Sequence, residues 1–232
     1  MNETEKELFE KRNQNKLNKK DSTKAWRGYK VIRCEECQLP EITCICGREP
    51  EIISNVTFCI IMNEREPKKP TNTGRLIEDT MKKTKVFIWS RVNENKELID
   101  LINNDLYDPY VIFPDDTEEL KSKVVDFQKK EKKEPLFIIL DGTWKQARRI
   151  FNKSEYLKKL PILSIKIDKT SEYQLRRASD AHHLCTVEVG IELLKIAGES
   201  KQSEQLYDYF CTFIKHYLAG RSNHKIEKKE LS

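Results

Sequence analysis

Four cysteines stand close together in CEECQLPEITCIC, as Cys34, Cys37, Cys44 and Cys46. A C-x2-C turn aims two thiolates at one tetrahedral ion, and Pro40 in the gap helps the chain return with the second pair. Four thiolates leave no open coordination position, so the expected role is a structural Zn2+ that folds a small N-terminal zinc module over residues 31–50. An iron–sulfur centre, or a reduced cluster without metal, fits the same spacing. A total of 7 cysteines is an odd number for a disulfide scaffold, whereas clustered thiols in a reducing compartment bind metal. Cys59, Cys185 and Cys211 lie in apolar runs and read as core residues.

A second chemical stretch is ILDGTWKQARR, Ile139 to Arg149. An apolar strand ends in Asp141, where a carboxylate is costly unless it finds partners or serves a ligand. Gly142 permits unusual backbone geometry or close ligand approach, Thr143 can start a helix, and Trp144 offers an aromatic face for stacking on a base. Lys145, Arg148 and Arg149 follow at helical spacing, a pattern suited to phosphate contacts. The bland reading is a capped helix with a core tryptophan.

Three further stretches carry polar groups beside apolar runs. In KPTNTGRL, Asn72, Thr73 and Gly74 form a helix start that can bind a polar ligand or simply cap the helix. FPDD ends a strand at Phe113 and Pro114. YQLRRASDAHHLCTVEV places Arg176 and Arg177 before a polar loop, then Leu184, Cys185 and Thr186 at a helix start. His182 and His183 are adjacent loop histidines and are given no catalytic or metal role.

Such groups need elements to hold them. Expected strands are 56–62, 86–89, 110–113, 136–140 and 162–167; expected helices are 74–83, 96–103, 117–130, 143–152, 186–197 and 204–218. Strand alternating with helix predicts an α/β fold, a mainly parallel sheet with helices on both faces. Ligands in such sheets bind beyond the carboxyl ends of the strands, where these motifs fall. Residues 1–30 read as a basic, flexible arm, residues 51–220 as the main domain, and residues 221–232 as a polar tail.

The chain has 232 residues, 43 Lys+Arg against 38 Asp+Glu, and a net charge of only +5. Placement says more than the total: basic clusters at 11–20, 82–85, 129–133, 145–149 and 225–229 suit a polyanionic partner or a solvated surface. No segment has the roughly 18 apolar residues of a membrane span, and the first twenty lack a secretory apolar stretch. A soluble, intracellular protein is expected, cytoplasmic or nuclear.

Taken in order, these motifs resemble the DTW-domain family, named for D-x-T-W, here Asp141, Thr143 and Trp144. The N-terminal cysteines, Asn72-Thr73-Gly74-Arg75-Leu76, Phe113-Pro114, Tyr173 with Arg176, and Leu184-Cys185-Thr186-Val187-Glu188 match its other motifs across residues 31 to 215. One departure is Asn63-Glu64, where relatives often carry His-Pro; asparagine cannot serve as a base near neutral pH. The resemblance implies a SPOUT-like fold with a C-terminal trefoil knot and a tRNA-uridine aminocarboxypropyltransferase. Such an enzyme moves the 3-amino-3-carboxypropyl group of S-adenosyl-L-methionine to N3 of a uridine.

On that reading Asp141, Thr143 and Trp144 are catalytic. Asn72, Thr73, Gly74, Pro114, Asp141, Leu184, Cys185 and Thr186 line the cofactor pocket, and Lys145, Arg148, Arg149, Arg176 and Arg177 meet tRNA. Asp141 is either the base for N3–H or a ligand of the cofactor. An RNA methyltransferase on the same fold and a non-catalytic zinc-containing RNA-binding protein are the alternatives. Oligomeric state is not legible.

Overall fold

In the computed structural model, residues 31–165 and 184–222 are described. By contacts the chain divides into two units, Met1–Ile32 and Arg33–Ser232, and every element below belongs to the second. The basic arm, Tyr173, Arg176, Arg177, His182, His183 and the polar tail from 223 onward lie outside the described residues. So does the stretch 166–183, part of the C-terminal segment in which the resemblance places a knot.

Short runs of β-branched and aromatic residues build the sheet. Its strands are β1 (Thr57–Met62), β2 (Lys85–Ile88), β3 (Tyr107–Ile112), β4 (Glu134–Asp141) and β5 (Ile162–Leu163). They lie in the order β2-β1-β4-β3-β5, and every neighbouring pair is parallel. β1 is buried along its whole length, and β4 is buried from Pro135 onward. Near-continuous apolar runs are what a parallel sheet covered on both faces requires.

The helices are α1 (Gly74–Thr80), α2 (Lys96–Ile102), α3 (Glu118–Lys121), α4 (Trp144–Asn152), α5 (Glu155–Lys158), α6 (Thr186–Ile196) and α7 (Ser200–Arg221). Alternation along the strands sorts them into two layers. Phe58, Ile60, Met62, Phe137 and Ile139 pack with Ile77 of α1, Val187 and Ile191 of α6, and Phe210 and Phe213 of α7. Cys59, Ile61, Leu136, Ile138 and Leu140 pack with Leu98 of α2, Leu120 of α3, Ile150 and Phe151 of α4, and Leu157 of α5. The expected parallel α/β sheet, covered on both faces, is present.

Topology marks one place at the sheet's edge. The chain leaves β1 towards β2 and leaves β4 towards β5, on the opposite side. β1 and β4 are neighbours, with Met62 level with Asp141. Connectivity parts there, which opens a crevice beyond the carboxyl ends of these two strands.

Several expected boundaries move. The helix expected over Thr117–Lys130 is only the single turn α3. Beyond it Val124 bridges Ile162, and the Val125 N–H donates to the Ile162 carbonyl at 2.9 Å. Phe127 packs its ring 5.6 Å from Tyr110 and 5.5 Å from Phe137. The β-branched and aromatic groups of this segment are drawn to the sheet, which overrides a helical pattern.

β5 is two residues long, because Ser164 leaves the ladder and donates to Asp115 at 3.2 Å. α1 stops at Thr80, whose hydroxyl donates back to the Leu76 carbonyl at 2.7 Å. α7 begins four residues before the expected Glu204, and α5 was not expected. Cys59 and Cys185 are buried as expected, but Cys211 is exposed. It sits between the buried Phe210 and Phe213, and each residue turns the helix by about 100°.

The cysteine module is continuous with the helical layer on the face of α1, α6 and α7. Leu39 and Ile45 join the same apolar cluster as Phe210 and Phe213. A 3-10 turn, Glu41–Thr43, meets the end of α7. Buried His216 donates from Nδ1–H to the Thr43 carbonyl at 3.1 Å. Burial holds this imidazole below its ordinary value of 6.5. The native state therefore binds fewer protons there than the unfolded chain.

The resulting stabilisation is complete above pH 6.5 and is lost as pH falls towards the lower folded value. Urea midpoints measured at pH 7.5 and 5.5 should fall further for the wild type than for His216→Gln. Any acid sensitivity of the cysteine module is common to both proteins and cancels in that comparison.

Candidate functional site

Asp141 ends the central strand β4 with only 1% of its surface exposed. Its two carboxylate oxygens each accept a hydrogen bond from a distant part of the chain. Asn72 donates from Nδ2 to Oδ2 at 2.5 Å, and the Thr186 hydroxyl donates to Oδ1 at 2.5 Å. The loop before α1 and the first residue of α6 are thus fastened to the end of β4.

Each partner is itself held. Asn72 Oδ1 accepts from the Arg75 backbone N–H at 3.1 Å, which turns the Asn72 amide donor towards Asp141. Thr73 is fully buried, and its hydroxyl accepts from the Val187 N–H at 3.4 Å. Glu188 accepts from the Cys185 N–H at 2.8 Å across the first turn of α6. A Cβ on Gly74 would stand 3.0 Å from Asp141 Oδ2 and 3.4 Å from Thr186 Cγ2. A Cβ there would make the Asp141 and Thr186 side chains give by a few tenths of an ångström, at the cost of their short hydrogen-bond geometry. Burial and the Glu188 carboxylate push the Cys185 thiol up, so it sits beside this network as a neutral group.

Gly142 adopts a φ of 149°, a backbone state side chains disfavour, and it frees Thr143 to start α4. Thr143 and Gln146 form a capping box: the Gln146 N–H donates to Thr143 Oγ1, and the Thr143 N–H donates to Gln146 Oε1 at 2.7 Å. Gln146 also donates from Nε2 to Glu66 Oε1 at 2.9 Å, and the same carboxylate pairs with Lys69 at 2.5 Å. Glu66 is 3% exposed, and its Oε1 joins Lys69 of the β1–α1 loop to Gln146 of α4. Trp144 remains 39% exposed and meets Phe113 edge-on at 6.3 Å. Phe113 in turn stacks on Phe151 at 4.4 Å. Pro114 and Leu184 are half-buried.

The basic residues of α4 are treated unequally. Ala147, Ile150 and Phe151 face the sheet, which turns Lys145 and Arg149 outwards. Arg149 lies 5.8 Å from the centre of the Trp89 ring, and the Trp89 indole N–H donates to Ser154 at 3.0 Å. Arg148 is half-buried and ion-paired with Asp116.

The sulfurs of Cys34, Cys37, Cys44 and Cys46 all lie within 4.8 Å of one another. Cys34 is 3.5 Å from Cys46, and Cys37 is 3.7 Å from Cys44. A tetrahedral zinc site with bonds of about 2.3 Å sets its sulfurs about 3.8 Å apart, so the four can hold a metal ion. Gln38, with a φ of 60°, closes the first turn: its N–H donates to the Cys34 carbonyl at 3.0 Å. Among the four thiols the Cys37 N–H, the largest influence, helps lower Cys34 to about 7, while burial pushes Cys44 and Cys46 up.

Sequence reasoning missed Glu66, Arg75 and Gln146. Gln146 was findable, because Thr143 followed three residues later by Gln is the sequence signature of a capping box. Nothing local marks Glu66 as buried or Arg75 as a bridge between segments.

Removing the Asp141 carboxylate leaves two buried donors without their acceptor. Asp141→Ala should lower stability by about 2–6 kcal/mol in urea unfolding, at ~1–3 kcal/mol for each group left unsatisfied. Asp141→Asn should lose far less. Its amide oxygen can still accept from Asn72, and its NH2 can donate to the Thr186 hydroxyl.

Among the described residues, no helix is long and apolar enough to cross a membrane. No solved structure matches the chain. The profile of one protein family, DTW domain, matches residues 31–218, a span that includes the four cysteines, the whole sheet and the Asp141 network. The chain belongs to the DTW domain family.

Proposed function

We propose that this protein transfers the 3-amino-3-carboxypropyl group of S-adenosyl-L-methionine to N3 of a uridine in tRNA. The products are acp3U and methylthioadenosine. One observation carries the reading. In a DTW-domain chain, the N-T-G loop, the D-x-T-W strand end and the L-C-T helix start converge on the Asp141 carboxylate. They do so at the crevice between β1 and β4, where parallel sheets bind ligands.

In this reaction N3 forms a bond to the γ-carbon of the methionine moiety, the C–S bond breaks, and the N3 proton is lost. The donor supplies an electrophilic carbon beside its sulfonium. Everything else asked of the protein is position, charge and a proton acceptor.

Asp141 is assigned the central role. Its charge favours loss of the N3 proton and suits a cationic donor, while its bonds to Asn72 and Thr186 keep the pocket walls in place. Asn72, Gly74, Pro114, Leu184, Cys185 and Thr186 form the donor pocket, with Thr73 shaping it from behind. Exposed Trp144 offers its face to a base, and Thr143 fixes Trp144 through the capping box. Lys145 and Arg149, with Arg148, Arg176 and Arg177, are assigned to the tRNA backbone. The four cysteines are assigned a structural Zn2+.

Incubation with tRNA and S-adenosyl-L-methionine, followed by mass spectrometry of the nucleosides, should give acp-uridine and methylthioadenosine. S-adenosylhomocysteine with a methylated base would overturn this reading in favour of a methyltransferase. tRNA binding with no turnover would leave a binding protein instead. Asp141→Asn, which keeps the hydrogen-bond network, should lower turnover by about 100-fold or more, within the range expected for a lost general base. Its tRNA affinity should stay close to wild type. Metal analysis should find one zinc per chain.

A further inference from the structure

We propose that Arg75 is a positioning residue that couples the metal-binding module to the Asp141 site, so that metal held by the four cysteines sets the placement of Asn72. The inference rests on the reading that the Asp141 site performs the transfer, and it assigns the module a part in that site's geometry.

Arg75 stands in the first turn of α1, immediately after Gly74. Its guanidinium reaches in two directions. Nη1 donates to the Glu36 carbonyl at 3.1 Å, and Glu36 lies between Cys34 and Cys37 in the metal-binding turn. Nη2 donates to the Lys69 carbonyl at 3.1 Å and to the Pro67 carbonyl at 3.4 Å. The Lys69 carbonyl also accepts from the Asn72 backbone N–H at 3.0 Å. A continuous path therefore runs from the C-x2-C turn through the guanidinium to the Lys69 carbonyl, then to Asn72 and Asp141.

A cleft of about 290 Å3 lies at this joint, lined in part by Glu36, Pro67, Asn72 and Arg75. Apolar packing through Leu39 and Ile45 ties the module to the shared core, and across the cleft Arg75 adds a direct polar link to the loop that carries Asn72. The planar fork of guanidinium donors can hold three carbonyls at once, whereas a lysine ammonium on a flexible stem presents a point charge. The Glu36 carbonyl in turn points where the turn directs it, and that turn is fixed when Cys34 and Cys37 share an ion.

The test is hydrogen exchange read by mass spectrometry on the full-length, metal-loaded protein. Arg75→Gln and Arg75→Lys should each raise exchange at residues 69–76 by about tenfold, as local opening does when its holding contacts go. Metal content and exchange at residues 34–46 should stay at wild-type values. Unchanged exchange at 69–76 in both variants overturns the proposal. So does an even rise over the whole chain, which would make Arg75 a general stability residue.

Partial chelation of the wild type, kept short of any change in β4, should raise exchange over the same 69–76 segment; no rise there overturns the link to the metal. With tRNA, Arg75→Lys should lower kcat about tenfold at unchanged tRNA affinity, a loss of about 1.4 kcal/mol in the transition state. The exchange readouts need no turnover. A failure of the assigned reaction therefore shows separately, in the nucleoside products of the wild type.

Discussion

A carboxylate that ends a central strand and is 1% exposed would be strongly destabilising if left alone. Asp141 is not alone, and the arrangement of its partners shapes the rest of the site. Asn72 and Thr186 lie 69 and 45 residues away along the chain. For both to donate to one group, the β1–α1 loop and the start of α6 must meet over the end of β4. Gly74 follows from the same need, since a Cβ there would press on Asp141 at 3.0 Å. One buried carboxyl group thereby fastens three backbone segments, and it does so at the edge where a parallel sheet opens a crevice.

A second buried carboxylate extends the scaffold. Glu66, in the loop after β1, is satisfied by Lys69 and Gln146. Gln146 is also the third residue of α4 and half of its capping box. The loop that carries Asn72 and the helix that presents Trp144 are thus joined through side chains rather than through backbone pairing. Networks of this kind rigidify a site when their buried members find partners, and each of these carboxylates accepts two hydrogen bonds.

The cysteine module belongs to the same mechanical unit as the sheet. Leu39 and Ile45 share the apolar cluster of α6 and α7, His216 holds the 3-10 turn, and Arg75 spans to the C-x2-C turn. A metal ion among the four sulfurs would therefore stiffen a wall of the main domain as well as its own small loop. Charge on the outer surface is arranged more loosely. Arg148 is neutralised by Asp116 and Arg149 rests over Trp89, while Lys145 projects from the first turn of α4.

The sequence alone determined the parts that depend on local chemistry. Strand runs rich in Ile, Val and Phe, interleaved with helical patterns, specify a parallel sheet with two covered faces, because burial follows side-chain period. The spacing of Cys34, Cys37, Cys44 and Cys46 specifies a four-thiolate cluster, because short turns limit where the sulfurs can go. The resemblance to the DTW-domain family, rather than any local pattern, raised the expectation that Asn72, Asp141 and Thr186 share one site.

Only the tertiary structure decided how those residues meet. That Asp141 is held from both sides, that Glu66 is buried, and that Arg75 bridges two segments are contacts between residues far apart in the chain, and no local pattern encodes them. The same holds for Val124 to Phe127, where helical periodicity lost to apolar contact with β5 and the sheet. Local propensity amounts to a few tenths of a kcal/mol per residue, and burial of an aromatic ring outweighs it by roughly tenfold.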